Sequence, residues 1–303
     1  SLWNFCKRRL VRLQPMVVMG MLLGGALFYF QGSEIFPNIA QTPVWKMLLV
    51  MTVGFTLLPV PVSLDIRGWT EMHPLNGPAW SLFFEYIANI LYAVLIRKFT
   101  SRWLAVLVFL AACALIHQCY TQGNNIGGWT LDVEQCRVGL TRLMFPFFGG
   151  LLLFRLCKPG RVRHGFWWCS LLLVGALAMP HVGGAENFHL NGLYDAFCII
   201  VIFPAVVFLG ASDIPGDISS RASRFLGNIS YPLYITHYPI VYLYLAWVHD
   251  AEVPFSRALP VAVGVLFICI AVAYGCLKLY DEPVRAWLSK RVLARRAPEQ
   301  PRP

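Results

Sequence analysis

The sequence predicts an all-α fold, a polytopic transmembrane helix bundle with about eight to nine membrane segments, one of them a candidate re-entrant segment. Three observations predict it. Hydrophobic residues fill 57% of 303 positions and charged residues only 13%, against about 25% charged in ordinary soluble domains. Apolar runs of roughly membrane-spanning length, about 20 residues, recur along the chain. The stretches between them are short and rich in Gly, Pro, Asn and charge, as connections at an interface are.

Nine apolar segments follow in order: 15–31, 44–62, 79–96, 103–118, 138–154, 166–181, 193–211, 226–248 and 258–279. The first follows an amphipathic, basic opening, SLWNFCKRRLVRLQP. The second ends in LLPVPV, where two prolines remove backbone donors and break a helix. The third carries a polar stripe, and the eighth is interrupted by Pro232 and Pro239. The membrane part is expected over 1–286, with 287–303 a basic cytoplasmic tail that ends disordered.

Orientation follows from Lys and Arg in short connections. The start (Lys7, Arg8, Arg9, Arg12), 97–102 (Arg97, Lys98, Arg102) and 155–163 (Arg155, Lys158, Arg161, Arg163) are basic. The connection with Arg221 and Arg224 and the C-terminal tail continue the series. Connections 119–137, 182–192 and 249–257 are nearly free of Lys and Arg, which places them outside. Three segments before residue 97 cannot return the chain to the side it left. One of them therefore does not span, and 44–62 is the suspect because of its prolines.

The net charge is +10, from 25 basic and 15 acidic residues. Its placement in clusters between apolar runs points to anionic lipid headgroups and argues against a nucleic-acid partner. Nine cysteines are scattered, mostly inside apolar runs, without metal-type spacing. Cys119 and Cys136 flank one outer connection and are a candidate disulfide in an oxidising compartment. There is no Walker loop, GxSxG elbow or HExxH, and no metal site is expected.

Three stretches can carry chemistry. In PLNGPAWSLFFEYIANILYAVLIRKF (74–99), Glu85 lies within an apolar helix, where ionisable groups are costly. Ser81, Glu85 and Asn89 recur every four residues and share a face with Tyr92. That face is either a structural network between helices or the wall of a substrate cavity. In FLGNISYPLYITHYPIVYLYLAWV (225–248), Ser230, Tyr234 and His237 fall near one face; His237 is either a satisfied core histidine or part of a cavity, and the two prolines around it favour the cavity over a plain spanning helix. In KRRLVRLQP (7–15), Arg9 and Arg12 lie three apart at the cytoplasmic boundary, an ordinary basic anchor or a phosphate fork. Arg142, at the start of a membrane helix, either snorkels to the interface or pairs with an acid such as Glu85. Spacing alone stops at a polytopic membrane protein with a polar interior, enzyme or transporter.

Taken together the stretches resemble acyltransferase family 3, bacterial membrane O-acyltransferases of surface and exported carbohydrates. Arg9 and Arg12 match the family's Arg-x-x-Arg. AWSLFFEYIANILY resembles its Trp-Ser-Leu-x-x-Glu block through Trp80, Ser81, Leu82 and Glu85. RLMFPFFGGLLL resembles its later Arg…Phe-x-x-Gly helix through Arg142 and Gly149. LGNISYPLYITHYPI resembles the Gly-x-x-Ser-Tyr-x-x-Tyr-x-x-His-x-Pro block through Gly227, Ser230, Tyr231, Tyr234, His237 and Pro239. YDEPVRAWL resembles the closing block through Glu282, Pro283 and Arg285.

The resemblance implies transfer of an acyl group, acetyl in the simplest case, from acyl-CoA to a hydroxyl of a cell-surface or lipid-linked glycan at the inner membrane. Arg9 and Arg12 would hold the donor's phosphates. Trp80, Asn89, Arg142, Ser230, Tyr231 and Tyr234 would line the acceptor, with Ser81, Glu85 and His237 at the reacting groups. The family's proposed base, a His on a preceding helix, has no counterpart here, and the chain opens where a third helix is expected. The competing expectation is a flippase of glycan or lipid intermediates, which polar stripes and a broken helix also suit.

Overall fold

The computed structural model describes residues 2–182, 184, 186–214 and 216–293. Among these residues the repeating structure is helical apart from one two-residue parallel pairing. Helices α1 (Leu2–Leu27), α2 (Val44–Gly54), α3 (Ala79–Val94), α4 (Ser101–Gln122), α5 (Val133–Leu156) and α6 (Gly165–Leu177) come first. They are followed by α7 (His189–Phe197), α8 (Phe203–Ala211), α9 (Asp217–Thr236), α10 (Tyr238–Asp250), α11 (Phe255–Cys276) and α12 (Glu282–Leu288). Five continuous helical stretches are long and apolar enough to cross a membrane: Trp3–Gln31, Ser101–Gln122, Val133–Leu156, His189–Ala211 and Phe255–Leu293. Helices Val44–Gly54, Ala79–Val94 and Gly165–Leu177 are apolar but shorter.

Several elements differ from their sequence-based bounds for identifiable reasons. The basic opening and the first apolar run form one helix, α1. The segment 44–62 is helical for only 11 residues, a rise of about 16 Å against a hydrocarbon core of roughly 30 Å, and Pro59 and Pro61 lie just beyond it. Helix α5 starts at Val133, with the Asp132 side chain accepting from Gln135 N as its N-cap. Arg142 therefore sits well inside the helix and not at its start. Arg221 and Arg224 lie within α9 and not in a loop. The helical stretch that begins with α11 continues through Leu293; the last ten positions of the expected tail, 294–303, are outside the described residues. Cys119 and Cys136 are both free thiols, so the candidate disulfide is absent.

At two of the prolines inside long helical stretches the backbone widens, whereas Pro15, Pro146, Pro232 and Pro260 lie within unbroken α-helix. Wide π-type turns at Cys198–Ile202 and Leu277–Asp281 immediately precede Pro204 and Pro283, each of which lacks the N–H that would bond four residues back.

The chain divides into two compact units, Ser1–Trp80 with Asn228–Pro303, and Ser81–Gly227. In the first, Val11, Leu13, Met16, Val17 and Met21 of α1 are buried together with Phe28, Phe36, Ile66, Met72 and Leu75. Gly20 and Gly24 make this packing possible, because the segment before α3 and the α9 backbone press directly onto them. A Cβ on Gly20 would lie 2.5 Å from Ile235 O, and one on Gly24 would collide with Leu75 O.

In the second unit, Leu104 of α4 packs with Phe148 of α5 and with Leu91 and Tyr92 of α3. Further along, Ala111, Leu115 and Cys119 pack with Phe145 and with Ala196 of α7. Gly192 of α7 meets the carbonyl of Cys119 so closely that no side chain fits between them. Strands β1 (Val162–Arg163) and β2 (Asp213–Ile214) pair in parallel and join the connections before α6 and after α8.

Candidate functional site

The densest polar arrangement of the first unit lies in the non-helical segment DIRGWTEMHPLNGP, residues 65–78. Asp65 starts it. Its carboxylate accepts the backbone N–H groups of Arg67 (2.9 Å), Gly68 (3.0 Å) and Thr70 (3.0 Å), an Asx-type turn. Gly68 has φ +101° and stacks on Pro37, a conformation and approach suited to glycine.

The turn projects Arg67 into the interior, where it is 0% exposed. Its Nε donates to Pro74 O at 2.9 Å and lies 3.6 Å from Glu71 Oε2. Its guanidinium rests on the rings of Tyr242 (3.7 Å to the centroid), Phe36 (4.8 Å) and Phe28 (5.8 Å). Ring faces and one carboxylate thus replace water around a buried cation. Tyr242 Oη lies 2.7 and 2.9 Å from the two Glu71 carboxyl oxygens, to one of which it donates.

Burial raises the Glu71 carboxyl from 4.5 to about 7, although the Arg67 charge and the Tyr242 hydroxyl pull it down. Burial likewise depresses His73 from 6.5 to about 4, against the bond between its Nε2 and Leu57 O at 3.2 Å. Arg67 is also lowered, again by burial.

This segment grips the α9–α10 break. Pro239 has no N–H, so the carbonyl four residues earlier, Ile235 O, receives no helical bond. Asn76 Nδ2 donates to that carbonyl at 2.7 Å. Gln31 Nε2 donates to Pro239 O at 2.8 Å, and Tyr234 Oη donates to Pro78 O at 2.7 Å. Ile240 N turns to His237 O, three residues back, at 3.0 Å. At the break, His237 Nδ1 lies 3.0 Å from both Leu233 O and Tyr234 O. Both partners are carbonyls and only accept, so Nδ1 carries the proton and a neutral His237 keeps its lone pair on Nε2.

The sequence-marked residues distribute as follows. Tyr234 and His237 are half-buried neighbours, with ring centroids 6.3 Å apart. Tyr231 is half-buried and donates to Leu13 O at 2.7 Å, so it ties α9 to α1, as Tyr234 ties α9 to the segment before α3. Ser230 is exposed and Trp80 half-buried. Arg9 is half-buried against the Phe5 ring, 5.7 Å away, while Arg12 is exposed.

In the second unit, Ser81, Glu85, Asn89 and Tyr92 do share the protein-facing side of α3, buried or half-buried, whereas Ile90 and Val94 are exposed. Asn89 Nδ2 donates to the Glu85 backbone carbonyl at 2.8 Å, a bond within the helix. Arg142 reaches Gly127 O in the connection between α4 and α5.

Sequence alone does not single out Arg67, Glu71, His73, Asn76, Gln31 or Tyr242. Charged groups inside apolar helices stand out in such a chain, whereas 65–73 reads as a polar connection. The one signal is three ionisable residues within seven positions, beside Pro74 and Pro78, in a sequence so poor in charge.

Long apolar helices, a chain short of charge and ionisable groups held within the fold define a multi-pass membrane protein. The family model described as Acyltransferase domain matches residues 1–277, and the chain belongs to this family, acyltransferase family 3. None of the curated proteins and none of the solved structures compared with the chain matches it.

Proposed function

We propose that this membrane acyltransferase moves an acyl group, acetyl in the simplest case, from acyl-CoA to a hydroxyl of a cell-surface or exported carbohydrate. The observation that carries the reading is the family match over residues 1–277. The pinned imidazole of His237 fits it. The acceptor hydroxyl donates its hydrogen bond to Nε2, which raises the oxygen's nucleophilicity as it attacks the thioester carbon. The C–S bond then breaks, CoA leaves as the thiolate, and the hydroxyl proton passes by way of a base to that sulfur. Donor phosphates are held by Arg9 and Arg12, and the acceptor by Trp80, Ser230, Tyr231 and Tyr234. Within the second unit, Ser81, Glu85, Asn89 and Arg142 supply further polar groups for substrate.

In the same reading the protein lies in the inner membrane with eight full crossings and the short α2 segment re-entrant. The basic opening and the C-terminal tail are cytoplasmic, in keeping with the Lys and Arg clusters of alternate connections.

Membranes holding the protein, its acceptor glycan and radiolabelled acetyl-CoA test the proposal. Label is expected on the glycan and is expected to fall at least about a hundredfold in His237→Gln, the low end of the range for one acid–base group. Vectorial movement of glycan without label would favour a flippase and overturn the reading.

A further inference from the structure

Pro239 removes a donor at the break between α9 and α10, and Asn76, from a different segment, replaces it. The replacement is specific in several respects. Asn76 is 0% exposed. Its Nδ2 reaches the one carbonyl, Ile235 O, that Pro239 leaves without a partner four residues on. Gly20 presents no side chain there, and a Cβ on it would lie 2.6 Å from Asn76 Nδ2. Space for the amide is therefore shaped by α1, the segment 65–78 and α9 together.

The next residues are locked as well. Tyr234 Oη holds Pro78 O, two residues beyond Asn76, and Gln31 holds Pro239 O. Between these ties lies His237, whose Nδ1 bonds to carbonyls of its own preceding turn. The direction of its Nε2 is consequently fixed by the path of the backbone between Leu233 and Pro239.

We propose that Asn76 is a positioning residue for acyl transfer: it stands in for the N–H that Pro239 lacks, fixes the α9–α10 break, and through the break aims His237 Nε2. The inference rests on the functional reading above, because it takes His237 to face the acceptor hydroxyl. Ile235 is 0% exposed, and a carbonyl left unsatisfied out of reach of water is costly. Without Asn76, the chain between Leu233 and Pro239 relaxes toward other partners and takes the imidazole with it.

The experiment uses the full chain in membranes. Asn76→Ala should lower turnover per folded molecule by about tenfold or more, the scale of one buried hydrogen bond. It should also alter the pH–rate profile and not only the protein's abundance. Asn76→Ala combined with Pro239→Ala returns a backbone N–H to Ile235 O without restoring the break. Abundance and thermal stability should recover in this double variant while turnover stays low. Recovery of wild-type turnover in the double variant, or full turnover in Asn76→Ala, would overturn the proposal.

A second readout does not depend on activity. Spin labels attached to unnatural amino acids at Asn228 and Trp247, both exposed, report the span across the break. In the double variant the distance should move toward the roughly 28 Å of an unbroken helix over the intervening 19 steps. A distance unchanged in both variants would show that Asn76 does not set the break. If wild-type protein transfers no acyl group at all, the functional reading fails while this distance still decides whether Asn76 holds the backbone.

Discussion

Two groups in one connection titrate in opposite senses, and the pH dependence of stability follows from them. Glu71, raised to about 7 in the folded protein from 4.5, binds its proton more tightly folded than unfolded. Its contribution is complete below pH 4.5 and is lost as pH rises to about 7. His73, lowered to about 4 from 6.5, behaves conversely, contributing fully above pH 6.5 and losing that contribution as pH falls through 4. Between about pH 4.5 and 6.5 the slopes oppose each other, so the wild-type profile should be shallow. Thermal unfolding of detergent-solubilised Glu71→Gln across pH 4–8 should expose the His73 slope, with stability rising with pH. His73→Asn should show the reverse. Parallel profiles for both variants would contradict the assignment. Tyr242→Phe, which removes the hydroxyl from Glu71, should cost about 1–3 kcal/mol at pH 8, measured in the same way.

At the scale of elements, helix contacts are set by where a side chain is missing. Gly24 meets Leu75 O, and Gly192 meets Cys119 O, with no room for a methyl group. Gly264 and Gly275, also helical, have open space where a Cβ would sit, with nothing within 4 Å. Gly24→Ala and Gly192→Ala should therefore each destabilise by about 1–3 kcal/mol through forced backbone shifts. Gly264→Ala and Gly275→Ala should be neutral or stabilising by up to about 1 kcal/mol, the difference in helix propensity. Unfolding midpoints of the four variants check this, and equal losses in all four would refute the packing argument. The polar stripe of α3 illustrates the same scale. The four-residue spacing of Ser81, Glu85 and Asn89 was legible because helical period alone puts them on one face. That the Asn89 amide turns back onto the Glu85 carbonyl was not, because spacing says nothing about rotamer.

For the whole molecule, the membrane supplies the test. If the basic connections are cytoplasmic, Cys157, exposed between α5 and α6, should react with a membrane-impermeant maleimide only after the inner membrane is opened. Labelling of intact spheroplasts at that residue would reverse the proposed orientation.

The sequence by itself determined the solvent, the helical class and the family, since hydropathy, charge clustering and ordered short motifs are properties of residues near one another in the chain. It also marked His237 and its prolines, because a missing backbone donor can be read from one letter. Only the tertiary structure decided what fills that gap. Asn76 lies 159 positions from Ile235, and Glu71 lies 171 from Tyr242. Hydrogen bonds over such separations leave no period in a single chain, and a connection that looks polar enough for water turns inward only when the rings and carbonyls awaiting it are in place.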